Sequence, residues 1–88
     1  MQHITIFHQP NCQPCRLTMR MLDKLGVTYV ARPLGDGSTG AKQALRNAKA
    51  LGMTSAPIIE VRDEGGTLVR MLSGYCPAEL REIAGVAR

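Results

Sequence analysis

Two cysteines with two residues between them, Cys12-Gln13-Pro14-Cys15, are the part of this 88-residue chain whose types and spacing could do chemistry. A thiolate attacks sulfur where a thiol does not. A pair at this spacing is therefore useful when one member ionises near neutral pH and the other can reach it to close a disulfide. The pair follows a β-like run, Ile4-Thr5-Ile6-Phe7, and opens a helical pattern that starts near Gln13. This puts Cys12 where the first turn of a helix leaves N–H groups without partners and the helix dipole favours an anion. Cysteines so placed reach a pKa of about 3.5–7.5, against about 8.5 for a free thiol. The reading is a dithiol redox site, with Cys12 as the attacking nucleophile and Cys15, one turn on, as the resolving thiol. Pro14 suits the first turn, where its missing N–H costs no intrahelical bond.

The elements that must position this pair follow from periodicity. His3 to His8 reads as a first strand, ended by Pro10. Leu17, Met21, Leu22 and Leu25 give the first helix one apolar face, and Gly26 caps its C-terminus. Val27-Thr28-Tyr29-Val30-Ala31, β-branched and aromatic, reads as a second strand, and Pro33 to Gly40 as a loop. Ser38 or Thr39 caps a second helix with a narrow face of Ala41, Ala44, Leu45, Ala48 and Leu51. Ile58 to Arg62 is a third strand, Asp63-Glu64-Gly65-Gly66 a hairpin turn, and Thr67 to Leu72 a fourth strand. Pro77 opens a third helix whose apolar face is Leu80, Ile83, Ala84 and Ala87. The order is β-α-β-α-β-β-α. The first two strands are expected to be parallel, the last two to form an antiparallel hairpin, and the helices to cover a four-stranded mixed sheet.

Composition narrows the function. A chain of 88 residues is expected to form one domain, residues 1–88, with a single modest core. It holds one Phe, two Tyr and no Trp, so aliphatic side chains, Met and Ala must build that core. No apolar run is long enough to span a membrane, and no secretory leader pattern opens the chain. Three cysteines do not suggest a disulfide scaffold, and a cytoplasmic protein with a reactive pair fits better. The net charge of +4 comes from arginines spread along the chain among interleaved acids. With no basic run and no aromatic platform, nucleic-acid binding is not expected, and an acidic protein partner suits the mildly basic surface. Cys12, Cys15, Cys76 and His8 could in principle form a structural zinc set. Zinc modules, however, normally show two closely spaced ligand pairs, and only one pair exists here. A pair of inert buried cysteines is a second bland reading, against which stand the flanking prolines and the helix start, and an inert relic of the fold used as a binding module is a third.

With the strand, the C-x-x-C helix and the later Ala56-Pro57 in view, the chain resembles the glutaredoxin/thioredoxin superfamily. Within it, the chain is most similar to the NrdH-type redoxins. The resemblance rests on Cys12-Gln13-Pro14-Cys15, on Ala48-x-x-Leu51-Gly52-x-x-x-Ala56-Pro57-x-x-Glu60-Val61, and on Ser73-Gly74-Tyr75-x-Pro77. It implies an α/β thioredoxin fold and a redox-active Cys12–Cys15 disulfide. It also implies a cis Pro57, with Ala56 offering main-chain hydrogen bonds to an extended partner segment. Thr54 and Ser55 would line the same groove by position, and Ser73, Gly74 and Tyr75 would form its far wall. The resemblance implies a monomeric electron donor that binds no cofactor or metal. Electrons would come from NADPH through thioredoxin reductase and pass to a ribonucleotide reductase large subunit of class Ib or another disulfide protein. Glutathione-dependent glutaredoxins are the alternative. They typically carry C-P-Y-C, a basic residue shortly before it, and an acidic glycine segment before the last helix. Here Gln13-Pro14 lies between the cysteines, Gln9 stands where many relatives have lysine, and Ser73-Gly74-Tyr75-Cys76-Pro77 replaces the acidic segment. Cys76 reads either as a small half-buried N-cap or as a low-pKa thiol at a helix start. His8 reads as a strand end, or as a proton acceptor near Cys12.

Overall fold

The computed structural model describes residues 2–87. Its elements are β1 (His3–His8), α1 (Gln13–Lys24), β2 (Val30–Pro33), α2 (Thr39–Ala50), β3 (Ile58–Arg62), β4 (Leu68–Ser73) and α3 (Pro77–Ala87). They build the expected thioredoxin fold. The four strands form one mixed sheet in the order β2-β1-β3-β4. β1 pairs parallel with β2, and β3 pairs antiparallel with both β1 and β4.

Alternation along the strands divides the core in two. Ile4, Ile6, Ile59, Val61 and Leu72 face one way and pack with Leu22 of α1 and with Leu80, Ile83 and Ala84 of α3. Phe7, Ile58 and Met71 face the other way, under Ala41, Ala44 and Ala48 of α2. α2 is capped by Ser38, whose hydroxyl accepts the Ala41 N–H at 3.1 Å. In the hairpin turn one Asp63 carboxylate oxygen accepts the N–H groups of Gly65 and Thr67 at 3.0 and 2.9 Å. The turn then passes through Gly66 at φ +86°, a conformation that glycine adopts without steric cost.

Four expectations change. β2 is Val30–Pro33 rather than Val27–Ala31. Gly26, at φ +72°, turns the chain at the end of α1, and Val27 drops into the core with its N–H on the Leu22 carbonyl at 3.0 Å. The strand therefore starts later, and Pro33 sits at its end, where a missing N–H costs little. The buried face of α1 is Cys15, Thr18 and Leu22, with Leu17, Met21 and Leu25 only half-buried. On α2, Leu45 and Leu51 are 39% and 62% exposed. The alanines let this helix lie close over the sheet, which leaves the larger side chains at its flanks. β4 runs one residue later than expected, with an irregularity opposite Val61 and Arg62. The side chain of Ala87 lies outside the described residues. Among the described residues no helix is long and apolar enough to cross a membrane.

Candidate active site

Strand register gathers the candidate residues at one end of the sheet. Phe7 pairs with Ile58, Ile58 with Ser73, and His8 with Pro33. The turn after β1, the loop before β3 and the corner after β4 therefore meet there. Asn11 makes the turn after β1 at φ +55°, a left-handed conformation that asparagine tolerates better than most side chains. Cys12 follows in extended geometry as the N-cap of α1. Its Sγ accepts the Cys15 N–H at 3.2 Å, and its carbonyl accepts the Arg16 N–H at 3.2 Å. A donor that the helix cannot satisfy internally is thus aimed at the sulfur.

Cys12 and Cys15 are joined as a disulfide, with Cα atoms 5.2 Å apart. The two sulfurs differ in access, since Cys12 is half-buried and Cys15 is 2% exposed. Gln13 turns outward, and its Oε1 accepts Arg16 Nε and Nη2 at 3.3 and 3.0 Å, which holds the guanidinium on the first turn. Pro14 lies in that turn, and its carbonyl accepts the Thr18 hydroxyl at 2.8 Å.

The opposite wall is the loop before β3. The Ala56–Pro57 bond is cis, and Pro57 is buried. Ser73 ties this loop down from the end of β4. Its hydroxyl accepts the Ser55 N–H at 3.1 Å and donates to the Ser55 carbonyl at 2.6 Å. Gly74, at φ +76°, adds its N–H to the Pro57 carbonyl at 2.9 Å. Ser55 and Pro57 are therefore engaged, whereas Ala56 between them makes no hydrogen bond within the described residues. Thr54 and Ser55 are exposed. A cavity of about 150 Å³ runs from this loop toward α2, lined among others by Gln9, Leu34, Leu45, Lys49, Met53 and Ala56.

Tyr75 follows Gly74 at the corner after β4 and is exposed. Its hydroxyl reaches Met21 Sδ at 3.6 Å. Cys76 is not a lowered thiol. Its Sγ donates to the Ser73 carbonyl at 3.4 Å, and burial, followed by the nearby Glu79 carboxylate, pushes its pKa up. The helix start does not reverse this, because Glu79 occupies the first turn of α3. His8 ends β1, where its carbonyl accepts the Leu34 N–H at 2.9 Å. Among the described residues no group of three or more His, Cys, Asp and Glu side chains is placed to hold a metal ion, so the zinc set is not assembled.

Sequence reasoning overlooked Asn11, Thr18 and the Ser73–Ser55 bridge. For Asn11 a signal existed, because Pro-Asn before a helix favours a turn with a left-handed residue. For the bridge there was none, since its partners lie 18 residues apart.

A four-stranded mixed sheet that delivers a C-x-x-C disulfide to the start of its first helix defines a class, the thiol–disulfide oxidoreductases of thioredoxin fold. Residues 4–65 match the family described as Glutaredoxin, and the chain belongs to that family. Among solved structures it is similar to the glutaredoxin-like protein NrdH-redoxin from Escherichia coli. The TM-score is 0.71 at 20% identity, covering 92% of this chain and 93% of that one. A glutaredoxin from Archaeoglobus fulgidus gives a TM-score of 0.63 at 18% identity over 93% and 85% of the two chains. Mitochondrial thioredoxin 3 from Saccharomyces cerevisiae gives 0.65 at 20% identity over 97% and 77%. A search of curated proteins returned no match.

Proposed function

We propose that the protein is a dithiol electron donor of the NrdH type. It would reduce disulfides in partner proteins, foremost the large subunit of a class Ib ribonucleotide reductase, and be recharged by thioredoxin reductase with electrons from NADPH. The observation that carries this reading is the asymmetry of the pair, with Cys12 reachable and facing an N–H donor while Cys15 is sealed beneath it. In the proposed cycle the Cys12 thiolate attacks one sulfur of the partner's disulfide. The partner's S–S bond breaks, and its other sulfur leaves as a thiolate that takes a proton from water. The Cys15 thiol, losing its proton, then attacks Cys12 Sγ. The mixed disulfide breaks, the partner leaves with both cysteines reduced, and Cys12–Cys15 closes. The N–H and C=O of Ala56 supply the edge along which the partner's segment is held as an added strand.

Thioredoxin reductase rather than glutathione is favoured as the source by Gln13-Pro14 inside the motif, by Gln9 before it, and by the Ser73–Pro77 corner that replaces an acidic segment. The likeness to NrdH-redoxin from E. coli, whose structure is described as the basis of a thioredoxin-like activity profile, points the same way. One observation favours glutathione, namely that Lys49 lines the cavity beside Ala56 and offers a cation to a carboxylate. Insulin reduction decides between them. Turnover with NADPH and thioredoxin reductase but not with glutathione supports the donor reading, and the reverse pattern refutes it. Cys12→Ser abolishes turnover with either source. Retained activity in that variant would sink the mechanism.

A further inference from the structure

We propose that Thr18 is a positioning residue for the nucleophile, acting through the peptide group between Pro14 and Cys15. This deepens the reading above and rests on Cys12 as the attacking sulfur. The carbonyl of Pro14 and the N–H of Cys15 belong to one peptide. On one side that peptide accepts the Thr18 hydroxyl at 2.8 Å, and on the other it donates to Cys12 Sγ at 3.2 Å. The three groups form a chain, from Thr18 Oγ1–H to the Pro14 carbonyl, through the amide, and from the Cys15 N–H to the Cys12 sulfur.

A hydrogen bond into a carbonyl draws charge from the amide nitrogen and makes its N–H a better donor, strengthening the next bond by about 10–30%. The effect is largest when the final acceptor is ionised, as Cys12 is when it attacks. Thr18 is 0% exposed, so water neither competes for its hydroxyl nor replaces it. A buried threonine in a helix often bonds the carbonyl four residues back merely to satisfy its own hydroxyl. Here that carbonyl belongs to the peptide whose N–H faces the redox sulfur. For packing alone, a valine of the same shape would fill the position on the buried face between Cys15 and Leu22 with no hydroxyl to satisfy. The hydroxyl stabilises the Cys12 thiolate and so sets both its reactive fraction near neutral pH and the ease with which the disulfide is reduced.

The test is the pH dependence of iodoacetamide alkylation in the reduced protein, with the alkylated site located by mass spectrometry. A change of about 10–30% in a hydrogen bond to a charged group amounts to roughly a 1.3- to 4.6-fold change in the ionisation constant, or about 0.1–0.7 pH units. Thr18→Val is expected to raise the Cys12 midpoint by that amount. Thr18→Ala should raise it similarly despite its smaller volume, and Thr18→Ser should leave it at the wild-type value. A folded Thr18→Val protein with an unchanged midpoint overturns the proposal, as does a Thr18→Ser protein shifted as far as Thr18→Val. If Cys15 rather than Cys12 is the early-ionising thiol of the wild type, the nucleophile assignment itself fails, and this inference fails with it.

Discussion

Replacing Ser73 with alanine tests whether the loop that carries Ala56 is held in place by side-chain chemistry or by its own backbone. The hydroxyl makes two hydrogen bonds to the Ser55 backbone, at 3.1 and 2.6 Å. Each is worth about 0.5–1.5 kcal/mol net, and water can take over part of both because Ser55 is exposed. The estimate is therefore about 1 kcal/mol, near the low end of the sum. In a domain of this size that corresponds to a fall in Tm of about 4–8 °C. The Gly74 N–H still binds the Pro57 carbonyl, so the loop loosens without detaching. A partner that docks on Ala56 must then order the loop itself, and about 1 kcal/mol of ordering cost appears as roughly a fivefold rise in KM for a protein disulfide. Thermal melts followed by circular dichroism, with steady-state insulin reduction coupled to NADPH and thioredoxin reductase, read both quantities. Ser73→Thr, which keeps the hydroxyl, should restore both. An unchanged KM in Ser73→Ala refutes the positioning role even if Tm falls, and an unchanged Tm refutes the energetic reasoning.

Other perturbations test separate parts of the structure. Glu60 is 5% exposed, its Oε2 has no hydrogen-bond partner among the described residues, and its Oε1 lies 3.4 Å from an Arg62 side chain that is 34% exposed. The buried carboxylate therefore gains little from its pair, and Glu60→Met should leave stability unchanged or raise it by about 1 kcal/mol in urea denaturation. A loss of that size would show the pair to be stabilising. Ser38→Ala removes the cap of α2 and should cost about 1 kcal/mol in the same measurement, with Ser38→Asp close to wild type. For Cys76, burial and Glu79 raise the folded pKa above its unfolded value. The folded state then carries no penalty while the thiol is protonated in both states, and stability is lost as pH rises from the unfolded value through the folded one. In the oxidised protein Cys76 is the free thiol, so Glu79→Gln should speed its alkylation near pH 9 and reduce that alkaline loss of stability. Equal rates in the two proteins would remove Glu79 as a cause.

What the sequence revealed, and what it hid, follows from the range of the forces involved. β1, β3 and the helix that begins beside Cys12 were legible because strand alternation, a proline stop and a helix start are local signals. The apolar face of α1 is misread from the sequence because Cys15 reads as redox chemistry and Thr18 does not count as hydrophobic by type, although both are buried more deeply than Leu17. On α2, spacing alone puts Leu45 and Leu51 on one face with the alanines, yet the space under this helix is set by Phe7, Ile58 and Met71 on the sheet below. The start of β2 depended on how far Val27 is drawn inward after Gly26, which is a tertiary outcome. Within the site, Cys12, Cys15 and Pro57 announce themselves by motif. The Ser73–Ser55 bridge appears only when strands and turns are placed in space, and the Thr18–Pro14 bond, local to α1, follows once that face of the helix is buried. At Cys76 burial and a neighbouring carboxylate outweigh the helix start, which fits the small half-buried residue rather than the low-pKa thiol.

The unequal burial of the two sulfurs also has a kinetic side. A partner's sulfur bound to Cys12 would sit beside a second thiol that is tethered on the same helical turn, with a Cα only 5.2 Å away in the oxidised form. Intramolecular reactions with good alignment behave as if the second reactant were present at about 10⁵ M or more, far above any free thiol in a cell. In the proposed cycle the internal thiol therefore outruns every external one. Electrons leave this molecule in pairs, and a partner has little time to remain bound between the first and the second.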